Sequence, residues 1–285
     1  MPAPILRFAP SPNGHLHLGH AYSALFTDRC ARQLGGTLLL RLEDIDITRC
    51  KPEFAVAILE DLRWLGLDWP APVMVQSERL PAYAAAARRL DEMGLLYPCF
   101  CSRAEITAHA VGTDPDGAPL YGGACRHLSA GEIAARLARG ERAQYRLRGA
   151  EAAALAGPVS FTVAMPTPLD RPQIRYARPQ LWGDVVIRRK EIPASYHLSV
   201  VVDDAAQAIT HVTRGRDMEA ATDIHVLLQM LLGLGQPIYT FHKLVMDADG
   251  RKLSKSRGSK SLRELRRDGV SPQHVREMLG FGPTA

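Results

Sequence analysis

A chain of 285 residues, 46% of them apolar, is long enough to bury a sizeable core in one large domain or two modest ones. No run of about 18 apolar residues occurs, and the opening MPAPILRFAPSPNG lacks a basic segment followed by a long apolar stretch, so no membrane span and no signal peptide are expected and the chain reads as cytoplasmic. A net charge of +5 with a pI of about 9.0 admits an RNA partner.

Residues 5–8 predict a short buried strand, which the prolines and the Asn-Gly step of Ala9-Pro10-Ser11-Pro12-Asn13-Gly14 bring to an end. A helical pattern follows from Gly19, with Tyr22, Leu25, Phe26 and Cys30 on one face, and residues 38–42 form a second apolar run of strand length. Strand, tight turn, helix and strand make a βαβ unit. Pro52 suits the first turn of a helix with Ile58, Leu59, Leu62 and Leu65 on its apolar side, and Ser77 is the expected cap of another that runs to about Met93.

From about 97 to 193 the character changes. Close-set cysteines, a Gly/Pro/Asp-rich loop at 112–123, short strand-like runs and a capping box opened by Ser129 and closed by Glu132 read as an insertion. The α/β pattern resumes with a β-branched run at 196–202, read as a strand ending in Asp203-Asp204, then 209–213, then a long helix over about 220–232. Asp249-Gly250 marks a turn and Ser271-Pro272 opens the last helix.

Three groups of residues suggest chemistry. His17-Leu18-Gly19-His20 falls where the first helix begins: unpaired N–H groups and a partial positive charge attract phosphate there, Gly19 lets a nucleotide approach the backbone, and two histidines three apart can donate to it. Lysine is scarce, yet four of six lysines (Lys243, Lys252, Lys255 and Lys260) fall in one stretch, where mobile ammonium groups suit a pyrophosphate whose charge grows in a transition state. Of five cysteines, Cys99, Cys101 and Cys125 lie close together and suit a tetrahedral zinc; residue chemistry alone nominates His127 as fourth ligand. Cys30 and Cys50 read as ordinary thiols.

Taken together, the segments HLGH at 17–20 and KLSKS at 252–256 resemble the HIGH and KMSKS signatures of class I aminoacyl-tRNA synthetases. RFAPSPNG at 7–14, RLEDID at 41–46, DLRWLGL at 61–67 and HVTRGRD at 211–217 are similar to stretches of the glutamyl-tRNA synthetase family. Charge supports the same substrate. Arg7 can clamp a carboxylate in bidentate fashion, Ser11 and the turn around Ala9 add neutral hydrogen bonds, and Glu43 can hold an α-ammonium. The resemblance adds Tyr196 and Arg214 to this glutamate site. It also implies that Ser11 favours glutamate over glutamine, since the related glutamine enzymes carry an acidic residue there.

Only 29 residues follow Ser256, which is expected to leave no anticodon-binding domain. In this the chain resembles the shortened glutamyl-queuosine tRNA(Asp) synthetases. That resemblance implies tRNA-independent activation of L-glutamate by ATP, with Mg2+, followed by transfer to the queuosine base of tRNA(Asp), and a structural zinc held by Cys99, Cys101, Tyr121 and Cys125. His17, Gly19, His20, Lys252 and Lys255 would bind ATP, with His17, His20 and Lys255 catalytic; no general base for the transfer step is evident. The expected fold is α/β, a Rossmann-type doubly wound parallel sheet over 1–96 and 194–240. An inserted zinc-containing α+β subdomain over 97–193 and a lysine-loop and helical segment over 241–285 complete it, in a monomer that does not engage membranes. The alternatives are a truncated glutamyl-tRNA synthetase charging a tRNA 3′ end, a non-catalytic tRNA-binding paralogue and a small nucleotidyltransferase. The chain departs from the family pattern at Leu253, at His197-Leu198-Ser199 and at Thr222-Asp223-Ile224-His225.

Overall fold

The structure is a computed structural model that describes residues 3–246 and 260–282. Lys252, Lys255 and the Asp249-Gly250 turn lie outside the described residues.

The chain opens with β1 (Ile5–Phe8), α1 (Leu18–Gln33) and β2 (Thr37–Leu42), the predicted βαβ unit, with β1 and β2 parallel. Next come α2 (Pro52–Trp64), β3 (Met74–Val75) and α3 (Leu80–Glu92). Pro52 sits in the first turn of α2, where its missing N–H removes no intrahelical bond. Ser77 does not cap α3. A 3-10 turn over Gln76–Arg79 intervenes, and Ser77 instead gives its N–H and hydroxyl to Asp44, at 2.8 and 2.7 Å.

The middle of the chain holds β4 (Leu96–Cys99), α4 (Arg103–Ala108), α5 (Ala130–Ala138), β5 (Gln144–Leu147), α6 (Gly149–Ala156), β6 (Ser160–Val163), β7 (Gln173–Tyr176) and β8 (Val186–Arg188). The capping box from Ser129 to Glu132 forms as expected. Strands β4, β5 and β8 make a small antiparallel sheet. Strands β6 and β7 instead extend the main sheet, although the sequence places them within the insertion.

The last part contains α7 (Tyr196–Ala206), β9 (His211–Gly215), α8 (Thr222–Leu232), β10 (Ile238–His242), α9 (Leu262–Arg267) and α10 (Pro272–Met278). The expected strand over 196–202 is a helix. Ser195 caps it by accepting the Leu198 N–H, and Leu198, Val200 and Val201 are buried against α3 and α8. The helix penalty of each β-branched residue is a few tenths of a kcal/mol. Burying each such side chain contributes about 1.5–3 kcal/mol, so tertiary packing decides. A helix buried nearly all round has no polar stripe to betray its period.

The main sheet runs β3-β2-β1-β9-β10-β6-β7 and is parallel throughout except for the final β6–β7 pair. Helices cover both faces. On one, α1 and α2 pack with Leu262, Val275 and Phe281; on the other lie α3, α6, α7 and α8. Strand order reverses between β1 and β9, so chains leave that point to opposite faces and open a crevice at the carboxyl ends of the strands.

Candidate functional site

The crevice is a cleft of about 410 Å³. Arg7, Ala9 and Ser11 reach it from the end of β1, Glu43 from the end of β2, Arg214 from β9, His242 from β10 and Tyr196 from the first turn of α7. His17, Gly19 and His20 line its other side at the start of α1. All the glutamate-site residues nominated from the sequence therefore border one space.

Arg7 is buried and does not stand alone. Its Nε donates to Asp204 Oδ1 at 3.0 Å and its Nη2 to Oδ2 at 3.4 Å. Asp204 also accepts from Arg41 Nη2 at 2.8 Å, and the same nitrogen reaches Glu43 Oε1 at 3.3 Å. Burial alone would raise the Asp204 carboxyl, but Arg7 and Arg41 hold it below the ordinary range. For Glu43 burial wins, and its carboxyl is raised despite Arg41 and Arg7. Asp203, the residue before Asp204, ties α7 to the 3-10 turn and α3 by accepting from Arg79 Nε at 2.6 Å, Tyr83 Oη at 2.7 Å and Gln76 Nε2 at 2.9 Å. Arg41, Asp203 and Asp204 were not nominated from the sequence. Adjacent carboxylates inside an apolar run were the available signal, because buried charge needs partners.

Arg214 is held differently. Its Nη1 meets His225 Nδ1 at 3.0 Å, its Nη2 donates to Thr222 Oγ1, and its guanidinium lies 5.2 Å from the Tyr239 ring centroid. His225 Nε2 in turn lies 3.2 Å from His197 Nδ1. The departures from the family pattern at His197, Thr222 and His225 thus converge on one guanidinium.

At the start of α1 the two histidines form a capping box. Gly19 N–H donates to His17 Nδ1 at 3.1 Å, and His17 N–H to His20 Nδ1 at 3.2 Å. The expectation of unpaired backbone donors is corrected accordingly, since the imidazoles take these N–H groups. Each neutral ring must then carry its hydrogen on Nε2, which makes the side chains themselves donors. Gly19 is needed for the cap: a Cβ there would come within 2.9 Å of His17 Cε1.

The sulfur atoms of Cys99, Cys101 and Cys125 lie within 4.8 Å of one another, the one such group of His, Cys, Asp or Glu donors among the described residues. The Tyr121 hydroxyl is 3.9 Å from Cys101 Sγ and accepts the Cys125 N–H at 2.8 Å. The exposed His127 is not in this group. Burial opposes ionisation of Cys99, but hydrogen bonds from Tyr121, Arg146 and Gln144 bring its thiol down to about 7, while burial and the neighbouring thiols push Cys101 up to about 12. Three thiols crowded in this way suit a divalent cation such as zinc, whose charge would offset the repulsion among them once they ionise to bind it.

Comparison with known proteins gives a consistent result. Residues 5–282 match the family described as tRNA synthetases class I (E and Q), catalytic domain. A glutamyl-Q tRNA(Asp) synthetase of Rhodobacter capsulatus is 46% identical over 284 residues, covering 97% of this chain and 100% of the relative. One from Nocardia farcinica is 42% identical over 275 residues, covering 96% of this chain and 82% of that protein. The crystal structure of a glutamate tRNA ligase from Elizabethkingia meningosepticum, in complex with its amino acid, matches with a TM-score of 0.68 at 25% identity, over 90% of this chain and 52% of that one. No helix among the described residues is long and apolar enough to cross a membrane.

Proposed function

This chain belongs to the class I tRNA synthetases (E and Q), among the glutamyl-Q tRNA(Asp) synthetases, and from that membership we propose that it activates L-glutamate with ATP and transfers it to the queuosine base of tRNA(Asp). As a class I synthetase it is a ligase whose substrates are ATP, an amino acid and tRNA. The observation that carries the glutamate reading is the convergence of two guanidiniums, Arg7 and Arg214, with the Glu43 carboxyl and the Tyr196 side chain on a single cleft. A dicarboxylic amino acid with one ammonium group is the complement of that set.

In the first step the glutamate α-carboxylate attacks the α-phosphorus of ATP in line, forming glutamyl-adenylate and releasing pyrophosphate. No covalent enzyme intermediate is needed, so the work of the chain is positioning and charge stabilisation. His17 and His20 donate from Nε2 to the triphosphate and adenosine side, and Lys252 and Lys255 neutralise the departing pyrophosphate, with Mg2+ accompanying ATP. Ala9 and Ser11 complete the amino-acid site with neutral hydrogen bonds. In the second step a hydroxyl of the queuosine ring attacks the activated carbonyl and displaces AMP. Zinc would be held by Cys99, Cys101 and Cys125 with Tyr121 as fourth ligand. It would brace the inserted sheet and leave no open position for substrate.

The test is a pair of assays. Glutamate-dependent exchange of pyrophosphate into ATP should proceed without tRNA, and radiolabelled glutamate should transfer to tRNA(Asp) only when the tRNA carries queuosine. Exchange that appears only on adding tRNA, or label on queuosine-free tRNA lost after periodate treatment, would turn the assignment towards 3′-end charging.

A further inference from the structure

Arg7 and Arg214 border the same cleft, yet their charges are differently committed. Arg7 faces the Asp204 carboxylate, which it shares with Arg41, so part of its field is offset where it stands. Arg214 is buried to 7% exposure, its two hydrogen-bonded partners are a neutral hydroxyl and an imidazole, and its Nε has no partner among the described residues. Among the described residues no carboxylate makes an ion pair with Arg214; the nearby Glu219 pairs with Arg175 instead, and Asp116 feels Arg214 only as a longer-range charge.

The protonation of the two imidazoles follows from donor counting. A guanidinium can only donate, so His225 Nδ1 must present its lone pair to Arg214. A neutral His225 then carries its hydrogen on Nε2 and gives it to His197 Nδ1, 3.2 Å away, which puts the His197 hydrogen on its own Nε2. The charged or titratable groups around His225 are His197 and Tyr196 from α7, Arg214 from β9 and Arg7 from β1. Burial, and then Arg214, keep both rings far from protonation: His225 is held well below the ordinary imidazole range and His197 near 4.

We propose that His225, backed by His197, is a positioning residue that fixes Arg214 in the cleft while leaving its charge uncompensated, so that the site selects a ligand carboxylate over the corresponding amide. The inference rests on the reading of this cleft as the glutamate site. A carboxylate at position 225 would hold the guanidinium at least as firmly, but would cancel the charge that the substrate is to meet. A neutral acceptor holds without cancelling.

The closing experiment compares His225→Asn with His225→Asp in pyrophosphate exchange on the full chain, with glutamate and with glutamine. The two side chains have the same shape, and an Asn oxygen can replace Nδ1 as a neutral acceptor. The expected result is a KM for glutamate at least about tenfold higher in the Asp variant than in the Asn variant, with kcat changing less and the preference over glutamine narrowed. Equal KM values in the two variants, or a loss confined to kcat, would overturn the proposal. Nitrogen-15 spectra of the unaltered protein supply a reading that needs no variant: His225 should remain the neutral Nε2–H tautomer between about pH 6 and 8, and an Nδ1–H or charged ring there would also sink it. If the unaltered protein exchanges with another amino acid and not with glutamate, the glutamate reading itself fails and takes the selectivity claim with it. The spectra would then still report whether the imidazole pair is built as described.

Discussion

The guanidinium of Arg7, at the end of β1, meets the carboxylate of Asp204 in α7 at 3.0 Å across 197 positions of sequence. Both side chains are buried, and Asp204 serves Arg41 as well. Asp204→Ala would leave Arg7 without its carboxylate and Arg41 with only its longer contacts to Glu43 and Asp203. Breaking a buried pair from one side costs about 3–5 kcal/mol, and the expected outcome is a loss of that order in urea unfolding together with weaker glutamate binding. A stability change within experimental error would show that this pair does not anchor the cleft floor.

Glu43 is expected to give the reaction a pH dependence. Its carboxyl is raised by burial, with Arg41 and Arg7 pulling the other way. Above its raised pKa the group is ionised and can hold the substrate ammonium; as pH falls through that value it becomes neutral and the hold is lost. The kcat/KM for glutamate should therefore fall on the acid side at a pH above the ordinary carboxylate range. In Glu43→Gln the value should be low and that acid limb absent. An unchanged acid limb in the variant would assign it to another group.

Gly19→Ala probes the histidine cap. The added methyl would approach His17 Cε1 to 2.9 Å and displace the ring from the Gly19 N–H. Loss of such a cap costs about 1 kcal/mol, and the larger effect should be a rise in the KM for ATP in the exchange assay, with the KM for glutamate moving less. If ATP is bound as before, the imidazoles do not face its phosphates.

Metal analysis of the purified chain should return one zinc per molecule, and Cys101→Ser should lose it. Because the cluster belongs to the end of β4 and the loops that follow it, outside the cleft, removal of zinc should lower the melting temperature while leaving adenylate formation largely in place. Adenylate formation that vanishes with the metal would give it a part in the chemistry.

Much of this architecture was legible in the sequence because its signals are local. The turn after Phe8, the proline opening α2 and the capping box at Ser129 each fix structure through neighbours within four residues. Arg7, Glu43 and Arg214 border one cleft because each lies near or just past the carboxyl end of a strand whose place in the sheet follows the βαβ rule, and Tyr196 joins them from the first turn of α7. What escaped depends on distant partners. Residues 196–202 carry the composition of a strand, and only the space between α3, α8 and the sheet makes them a helix. The roles of Asp204 and His225 were hidden for the same reason, since their partners lie 197 and 11 positions away on other elements.

The pairing of β6 with β10 has a consequence for anyone who would trim this molecule. Excising residues 97–193 as though they were a detachable module would strip β10 of its parallel neighbour at Val163 and Tyr239. It would bare the backbone donors and acceptors of a central strand to solvent, and such a raw border is an invitation to intermolecular stacking. A shortened protein made that way should aggregate. One that keeps 157–178 and removes only the three-stranded appendage retains the closed flank.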